Sequence, residues 1–371
     1  MKDKIAIICG GLDDTMRGYE THTRLLFDSL SEETNVNYQF ILFKGSGKRA
    51  KNEKILRAPS RTSRIVKFLA KFRGGRIYWE SIFFALRFIF CTIIRNDRFS
   101  KILCIQPMVS KTLMRCKKLL PGKPIIIFTH GVWIEPHEYV KMGDEFHQVN
   151  IENYCKQKKY FKANNINKKV YLIPHFIPDI TPIKISKAVL RKKYNIKTEK
   201  VLLSVGRIDR AHKNMEYVIK EAAKLPEDWS LVLCGGIGEA DLLDIGRNLL
   251  GNRFIHIFLP REKVPEIYAM ADLFVLGSLQ EGFGIVTLEA MRAGLPIILH
   301  DRELFRWILK DDSVCVDMTK RNNLADFIIT KIQKEKEWFN LKGKENRSLF
   351  IREYTWEVLK DKYKMMYNIV S

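Results

Sequence analysis

The chain has 371 residues, of which 46% are hydrophobic, and 64 Lys and Arg against 42 Asp and Glu give a net charge of +22 at pH 7. This hydrophobic content excludes global disorder, and the length suits two domains of ordinary size. The excess of positive charge indicates anionic partners, namely nucleotides, nucleic acid or acidic lipid surfaces.

The N-terminus and the cysteines indicate a cytoplasmic protein. The apolar run in MKDKIAIICGG spans only about five residues, whereas a secretory signal needs ~7–15, so this segment predicts a first strand. The seven cysteines show no C-x-x-C pair and no regular spacing. Such cysteines are typical of buried thiols in a reducing compartment, not of a disulfide framework or a zinc site.

Strands and helices are predicted to alternate through the first half of the chain. A loop from Gly10 to Gly18 follows the first strand and leads into a helix, which is the usual place for phosphate in an open α/β sheet. A simple tight turn is the alternative. Residues 44–64 are basic and predict a loop. The predicted strands are Ile5–Ile8, Tyr38–Phe43, Lys101–Ile105, Pro124–Phe128 and Lys168–Pro174.

Residues 61–94 combine apolar, aromatic and basic side chains. A helix over their first part has one apolar face and one basic face, which is the composition of a membrane-surface element. The alternative is a solvent-exposed helix that packs on its own domain. The apolar positions are Ile65, Phe68, Leu69 and Phe72, and the basic positions are Arg64, Lys67 and Lys71.

The stretch from Ile77 to Ile94 is close to membrane-spanning length but carries Glu80 and Arg87. A central Arg costs ~2.5–3.5 kcal/mol on insertion scales. We therefore expect a buried helix, or one that dips into the membrane interface, and not a transmembrane span.

His130 follows the predicted strand Pro124–Phe128. A side chain at the carboxyl end of a parallel strand points toward the ligand crevice of the sheet. A purely structural role is the alternative for a lone histidine.

The second half of the chain restarts the alternation of strands and helices, which predicts two parallel, doubly wound domains. A last helix is predicted from Tyr354 to Ile369. The predicted strands of this half are Val201–Val205, Leu231–Gly235, Phe254–Phe258, Asp272–Gly277 and Ile297–Leu299.

The stretch from Ser278 to Asp301 joins two of these strands through a glycine loop and a helix. Gly282 and Gly284 let a ligand approach the backbone, and the helix N-terminus behind them offers N–H groups to an anion. Glu281 and Glu289 frame the loop. Eight helical steps of ~1.5 Å place them about 12 Å apart, farther than the ~5–9.5 Å of a glycosidase pair. The pattern predicts a sugar and phosphate site.

Three motifs of the second half occur together: Gly206-Arg207 with Lys213-Asn214, Glu281-Gly-Phe-Gly-Ile-Val-Thr-Leu-Glu289-Ala-Met, and Ala293-Gly294-Leu-Pro296. Together they resemble the motifs of family 4 retaining glycosyltransferases, which belong to the glycosyl transferases group 1. Ile173-Pro174-His175 and Gly18-Tyr-Glu20 resemble the linker and first-loop motifs of that family. The resemblance covers most of the chain and is specific from about residue 200 to 300.

The resemblance implies a GT-B fold, with two doubly wound parallel-sheet, Rossmann-like domains facing a central cleft. Residues 1–178 would form the acceptor-binding domain and residues 183–350 the nucleotide-sugar-binding domain. Residues 351–371 would form a C-terminal helix that packs back on the N-terminal domain.

The resemblance also implies the role of each site residue. Arg207 and Lys213 would contact the donor diphosphate, and Glu289 would bind the ribose. Glu281 would hold the donor sugar together with backbone N–H groups near Phe283, Gly284 and Ile285. His130 and Gly18 would complete the site from the N-terminal side. The catalytic set is thus Glu281, Arg207, Lys213 and His130, and the donor-binding set is Gly18, Phe283, Gly284, Ile285 and Glu289.

The implied activity is transfer from a UDP- or GDP-sugar to a surface-polysaccharide or lipid-linked glycan acceptor, with retention. Two cations and a helix N-terminus would stabilise the charge of the departing nucleoside diphosphate, so we expect no metal and no cofactor. We expect a cytoplasmic location, peripheral on the inner face of the membrane, with residues 61–94 facing an anionic membrane surface.

The chain departs from the family pattern in its basic motif. Lys213 lies six residues after Arg207, where five is frequent, so Arg210 could share the role. Two other functions stay open. One is a sugar-nucleotide epimerase or hydrolase of the same fold, and the other is a basic nucleic-acid-binding protein. No nucleic-acid motif is present, so we expect no nucleic-acid partner.

Overall fold

The computed structural model describes residues 3–13, 18–33, 37–72, 74–131, 134–181, 183–335 and 337–369. It divides into two compact units. The first comprises Met1–His175 with Leu359–Ser371, and the second comprises Phe176–Val358. Each unit has one parallel sheet with flanking helices, so the prediction of two doubly wound α/β domains is confirmed.

The described strands of the first unit form a parallel sheet in the order β3-β2-β1-β4-β5-β6-β7. Ile5, Ala6, Ile7 and Ile8 of β1 are fully buried, as continuous apolar runs in parallel sheets are. The strands are β1 (Asp3–Cys9), β2 (Tyr38–Lys44), β3 (Glu53–Ile55), β4 (Lys101–Cys104), β5 (Ile125–Thr129), β6 (Glu145–Gln148) and β7 (Val170–Leu172).

The helices of the first unit connect these strands. α3 contributes Phe84 and Phe88 to the core, where the Phe88 ring meets the edge of Phe43 from β2 at a centroid distance of 4.8 Å. The helices are α1 (Gly18–Glu32), α2 (Arg64–Leu69), α3 (Arg76–Ile94), α4 (Pro107–Cys116), α5 (Pro136–Tyr139) and α6 (Ile151–Ala163).

The described strands of the second unit form a parallel sheet in the order β10-β9-β8-β11-β12-β13. The strand order resembles that of the first unit. In both sheets the first three strands extend toward one edge, and the later strands are added on the other side of the first strand. The strands are β8 (Lys200–Val205), β9 (Trp229–Cys234), β10 (Phe254–Ile257), β11 (Leu273–Leu276), β12 (Ile297–His300) and β13 (Cys315–Val316).

The helices of the second unit flank this sheet, and the final helix α15 (Trp356–Met366) enters the first unit at Leu359. There Lys101 donates to the carbonyl of Met366 at 2.7 Å. The other helices are α7 (Lys187–Lys193), α8 (Met215–Ala222), α9 (Asp241–Leu250), α10 (Val264–Met270), α11 (Ile285–Arg292), α12 (Glu303–Leu309), α13 (Asn323–Lys334) and α14 (Trp338–Glu353).

Three strands, β3, β6 and β13, were absent from the sequence prediction, and the first two carry a buried carboxylate. Glu53 of β3, in the stretch predicted as a loop, pairs with Lys44 at 2.8 Å, and both side chains are 2% exposed. Glu145 of β6 pairs with the buried Lys101 at 3.1 Å. A buried charge is tolerated when it is paired. β3, at the edge of the sheet, and β6, within it, therefore look polar in sequence although these carboxylates are buried.

The prediction that the cysteines are buried thiols is correct for some of them and wrong for Cys155, which is exposed. Cys9, Cys104 and Cys234 are buried. Burial raises the pKa of the Cys9 and Cys104 thiols to about 12. These two thiols are therefore protonated and unreactive at neutral pH.

Three histidines are buried together in the first unit, next to the final helix. The rings of His22 and His175 lie 3.7 Å apart, and the ring of His147 lies 5.6 Å from that of Tyr363. Tyr363 also donates from its hydroxyl to the carbonyl of Pro174 at 3.0 Å. The cluster therefore connects α1, β6 and the segment after β7 to α15.

Burial makes these histidines a source of pH-dependent stability. It lowers the pKa of His22 to about 3 and that of His147 to about 4, from an ordinary value of 6.5, and it also lowers the pKa of His175. The unfolded chain therefore binds more protons than the folded chain below about pH 6.5. We expect the free energy of unfolding to be fully developed above that pH. It should fall during acidification by up to about 1.4 kcal/mol per pH unit for each histidine. Urea unfolding at a series of pH values measures this slope.

The His147→Gln variant is the control, because it removes one titrating group from the cluster. Its free energy of unfolding should fall less steeply between about pH 6.5 and pH 4 than that of the wild type. Identical slopes would show that the acid sensitivity arises elsewhere.

Candidate active site

The second sheet has a switch point between β8 and β11, where the strand order reverses. Ligands of doubly wound sheets bind outside the carboxyl ends of the strands at such a point. β8 ends at Val205 and β11 at Leu276. We call the segments that follow these two strands, 206–214 and 277–285, the switch-point edge. All the site residues predicted in the second half lie on this edge or on α11.

Lys213 and Glu281 meet at this edge in an ion pair between Nζ and Oε2. Their side chains are 18% and 15% exposed, so both charges are largely removed from water. Gly206 makes room for the lysine, because a Cβ on it would lie 3.1 Å from Cε of Lys213. The φ of Gly206 is +152°, which also favours glycine. The sequence predicted separate contacts for Lys213 and Glu281, whereas the structure places them in direct contact.

The backbone around the ion pair is held by hydrogen bonds within the edge. Oδ1 of Asp209 accepts from the backbone N–H groups of His212 and Lys213, both at 2.9 Å. The carbonyl of His212 accepts from the N–H of Leu279 at 2.9 Å. These bonds join the two loops on either side of the switch point and hold the main chain of Lys213 in place.

Arg207 and Arg210 have different surroundings. Arg207 is 71% exposed, and its nearest carboxylate is Asp209, with 3.9 Å between Nε and Oδ2. Arg210 forms ion pairs with three carboxylates, those of Glu216, Glu239 and Asp241. Arg207 is therefore the cation available to a ligand, and the possibility that Arg210 shares its role finds no support in this arrangement.

The start of α11 offers backbone donors next to Glu281. Gly284 has φ +86° and precedes Ile285, the first helical residue. Gly284 cannot cap the helix with a side chain, and no side-chain cap occurs in this fully described segment. Helix N–H groups without a cap are available to an anion. Phe283 is 3% exposed and anchors the loop.

Glu289 is held by two donors at the other end of this segment. The Tyr268 hydroxyl donates to Oε2 at 2.8 Å, and Nη2 of Arg261 lies 3.3 Å from Oε1. Burial and the nearby carboxylate raise the pKa of Tyr268, so its hydroxyl stays protonated and donates. Glu281 and Glu289 thus have different partners, which fits two separate ligand contacts better than one shared reaction.

The two predicted residues of the first half lie in the first unit. His130 follows β5, its Nδ1 lies 3.1 Å from the carbonyl of Ile105, and burial lowers its pKa. Because a carbonyl only accepts, Nδ1 carries the proton and Nε2 of the neutral ring is an acceptor. Gly18 is the first residue of α1 and is exposed.

Metal ligation requires several donor side chains at one place. Within the described ranges, no group of three or more His, Cys, Asp or Glu side chains is arranged to hold a metal ion. That the reaction needs no metal stays a prediction.

Residues 186–345 match the family model described as Glycosyl transferases group 1. These residues thus form a group 1 glycosyltransferase domain in the second unit. The predicted resemblance is thereby confirmed at the level of this group, and membership of family 4 is consistent with it.

Curated relatives match this chain over part of their length. Alpha-D-kanosaminyltransferase of Streptomyces kanamyceticus is 32% identical over 205 residues, covering 53% of each chain. N-acetyl-alpha-D-glucosaminyl L-malate synthase of Bacillus anthracis is 30% identical over 46% of this chain and 39% of that protein. Lipopolysaccharide glucosyltransferase WaaG of Escherichia coli K12 is 36% identical over 30% of this chain and 31% of that protein. The match thus spans about half or less of these relatives.

Solved structures match the chain over nearly its whole length. Sucrose-phosphate synthase from Thermosynechococcus elongatus has a TM-score of 0.75 and 17% identity, covering 99% of this chain and 98% of that chain. HepE of Anabaena, in complex with UDP and glucose, has a TM-score of 0.73 and 13% identity, covering 99% and 100%. This likeness shows the fold, which is GT-B as predicted.

Several residues at the site were missed in the sequence. Asp209 lies two residues after Arg207, and Tyr268 begins the Tyr-Ala-Met-Ala-Asp segment, so both were within reach of a motif comparison. Their partners become visible only in the fold. The hydroxyls of Ser278 and Thr287 are buried without a hydrogen-bond partner in the described chain, and no sequence signal pointed to them.

The strength of the Lys213–Glu281 pair can be measured by a double-mutant cycle. Lys213→Met leaves a largely buried carboxylate without its cation, Glu281→Gln leaves the ammonium without its anion, and the double variant removes both charges. We expect a coupling free energy of about 1 kcal/mol, since the pair is screened less than a surface pair. Urea unfolding of the wild type, the two single variants and the double variant measures this coupling free energy.

The matched control is the exposed pair of Asp244 and Arg247 on α9, whose atoms lie 2.8 Å apart with side chains 71% and 62% exposed. The cycle of Asp244→Asn and Arg247→Met should yield only about 0.2–0.5 kcal/mol. A coupling for Lys213 and Glu281 no larger than this would contradict our description of the site.

Proposed function

We propose that this chain transfers a sugar, with retention of configuration, from a nucleotide-diphosphate sugar to a surface-polysaccharide or lipid-linked glycan acceptor. The observation that supports it most is the Lys213–Glu281 pair beside the uncapped start of α11. A cation and a helix N-terminus suit a diphosphate, and a carboxylate suits sugar hydroxyls. Both occur at one switch-point edge.

Charge stabilisation of the leaving group is the proposed catalytic contribution of this edge. When the bond from the anomeric carbon to the diphosphate oxygen breaks, negative charge grows on the departing nucleoside diphosphate. Lys213, Arg207 and the N–H groups at the start of α11 are the donors that would meet this charge. Arg207 suits a bidentate contact with phosphate oxygens, and Lys213 supplies a point charge.

The ion pair gives the proposed donor site two states. Before binding, Glu281 neutralises Lys213 through the ion pair. A bound diphosphate carries more negative charge than one carboxylate and would draw Nζ toward itself. Glu281 would then accept hydrogen bonds from the sugar hydroxyls, and backbone N–H groups near Phe283, Gly284 and Ile285 would donate to sugar oxygens.

Glu289 is the proposed ribose ligand. Tyr268 and Arg261 each occupy one oxygen and orient the carboxylate, whose remaining lone pairs can accept from two ribose hydroxyls. The nucleotide is proposed to be UDP or GDP. Because HepE binds UDP and glucose in its solved complex, UDP-sugars are the first candidates.

The first unit is the proposed acceptor domain, with His130 and Gly18 as its contribution to the reaction. The neutral ring of His130 offers Nε2 as an acceptor for a sugar hydroxyl. The name of the related lipopolysaccharide glucosyltransferase supports a cell-surface glycan as the acceptor class. We propose that neither a metal nor a cofactor takes part, since Arg207 and Lys213 can meet the diphosphate charge.

Donor binding and transfer provide the first test of this proposal. We expect one class among UDP-, GDP- and ADP-sugars to raise the melting temperature, because a ligand bound only by the folded chain stabilises it. With a glycan extract as acceptor and EDTA present, that donor should release its nucleoside diphosphate. NMR of the product should show the anomeric configuration of the donor.

Lys213→Met and Glu281→Gln should each lower the transfer rate by at least about a hundredfold, while Lys220→Met on α8 should not. Full activity in either site variant would disprove the site. Consumption of the donor at the same rate without acceptor would identify an epimerase or hydrolase. Salt-sensitive nucleic-acid binding tighter than donor binding would indicate a nucleic-acid-binding protein.

Tyr268→Phe tests the role of Glu289 in nucleotide binding. The variant loses one hydrogen bond to a carboxylate, so we expect the affinity for the nucleoside diphosphate to fall about tenfold. Isothermal titration calorimetry with UDP and GDP measures the change.

Tyr194→Phe is the matched control for Tyr268→Phe. It removes a comparable bond of 2.6 Å to Glu266, between α7 and α10. Its nucleotide affinity should equal that of the wild type. Equal affinities for both variants and the wild type would contradict the proposed ribose contact.

A further inference from the structure

Helix α3 has two apolar sides, and only one of them is used by the fold. Phe84, Ala85, Phe88 and Ile89 face the core of the first unit and are at most 5% exposed. By length and composition the helix could cross a membrane. However, 33% of its most apolar 18-residue stretch is buried inside the protein. A helix packed along one side into a core is not surrounded by lipid, so α3 does not span a bilayer in this fold.

The opposite side of α3 presents a second apolar stripe. Its positions recur at i, i+4, i+7, i+11 and i+14, which places them on one side of a helix with 3.6 residues per turn. The central residues are strongly exposed, with Leu86 at 45% and Phe90 at 54%. The stripe comprises Trp79, Phe83, Leu86, Phe90 and Ile93, with Ile94 beside it at 65% exposure.

Helix α2 and the residues after it add to this apolar area. Ile65, Phe68 and Phe72 are 49%, 57% and 73% exposed, and the rings of Phe68 and Phe72 meet edge to face at 5.1 Å. The only buried residue of α2 is Val66, and all of α2 is described. Large apolar side chains clustered at a surface mark an interaction site. We call the exposed sides of α2 and α3, with Lys71 and Phe72, the α2–α3 surface.

The α2–α3 surface is also strongly basic. Arg64, Lys67, Lys71, Arg76 and Arg87 are exposed on it. The two acidic residues of the sequence from 57 to 98 are neutralised within the protein. Glu80 pairs with Arg61 at 3.0 Å, and Asp97 pairs with Lys54 at 3.0 Å. The net charge of the surface is therefore positive without a local counter-charge.

We propose that the α2–α3 surface binds an anionic lipid bilayer, with α3 lying in the plane of the membrane interface. Aromatic and aliphatic side chains would enter the boundary between headgroups and acyl chains, while the basic residues around them contact the acidic headgroups. The charge favours a bilayer over a second copy of the chain, because two copies of this surface would repel each other. The inference goes beyond the proposed transfer reaction, which a soluble acceptor can undergo without a membrane.

Vesicle flotation of the full chain tests the proposal. We expect the protein to float with vesicles of phosphatidylcholine and phosphatidylglycerol in equal amounts, and not with phosphatidylcholine alone. Raising the salt concentration should weaken the binding, because it screens the basic residues. Washing with alkaline carbonate should release the protein, as it releases peripheral proteins and leaves spanning ones.

Two sets of variants separate the apolar from the electrostatic contribution. Phe68→Ser with Phe72→Ser and Phe90→Ser removes apolar side chains, and Lys67→Glu with Lys71→Glu and Arg76→Glu reverses three charges. Each set should lower the vesicle affinity by at least about tenfold. Transfer to a soluble acceptor should be unchanged in both.

The matched controls alter the same number of exposed residues elsewhere. For charge they are Lys158→Glu, Lys159→Glu and Lys162→Glu on α6, and for apolar area Leu249→Ser, Ile351→Ser and Met365→Ser. Both controls should keep wild-type flotation.

Four outcomes would overturn the proposal: no binding to the anionic vesicles, equal loss in the controls, retention after the carbonate wash, or a dimer by light scattering that the Phe→Ser set dissociates. Failure of the transfer reaction is recognised separately. In that case Glu281→Gln and the wild type would both float and neither would transfer sugar.

Discussion

The candidate site depends on one ion pair between two loops of the second unit. Lys213 and Glu281 are 68 residues apart in sequence and meet because β8 and β11 are neighbours at the switch point of the sheet. Hydrogen bonds to Asp209 and to the carbonyl of His212 stabilise the two loops that carry Lys213 and Glu281. Without a ligand, each of these two charges, which are largely removed from water, is compensated by the other.

The same pair explains why a single edge can serve two chemically different groups. A cation and backbone donors face one part of it, and a carboxylate faces another. Arg207 remains exposed, whereas Arg210 is engaged by three carboxylates, so the spacing of the basic residues along the chain does not decide which of them is available. The fold makes this distinction through α8 and α9, which carry two of the partners of Arg210.

Much of the fold could be predicted from the sequence because parallel sheets bury continuous apolar runs. The helix predicted after the glycine loop and the strand predicted at Asp272–Gly277 agree with α11 and β11 of the structure. β3 and β6 could not be predicted, because Glu53 and Glu145 are buried through long-range ion pairs with Lys44 and Lys101. The contact of Tyr268 with Glu289 could not be predicted either, because a motif does not specify the packing that directs a side chain. His130 and Gly18 of the first unit were predicted as site residues, and their roles stay predictions.

The central claim is that the switch-point edge of the second unit binds the donor diphosphate. A crystal structure of the chain with UDP or GDP tests it most directly. We predict a diphosphate within hydrogen-bond distance of Lys213, Arg207 and the first N–H groups of α11, with Nζ of Lys213 moved away from Glu281. A nucleotide bound away from this edge, with the Lys213–Glu281 pair intact, would contradict the account.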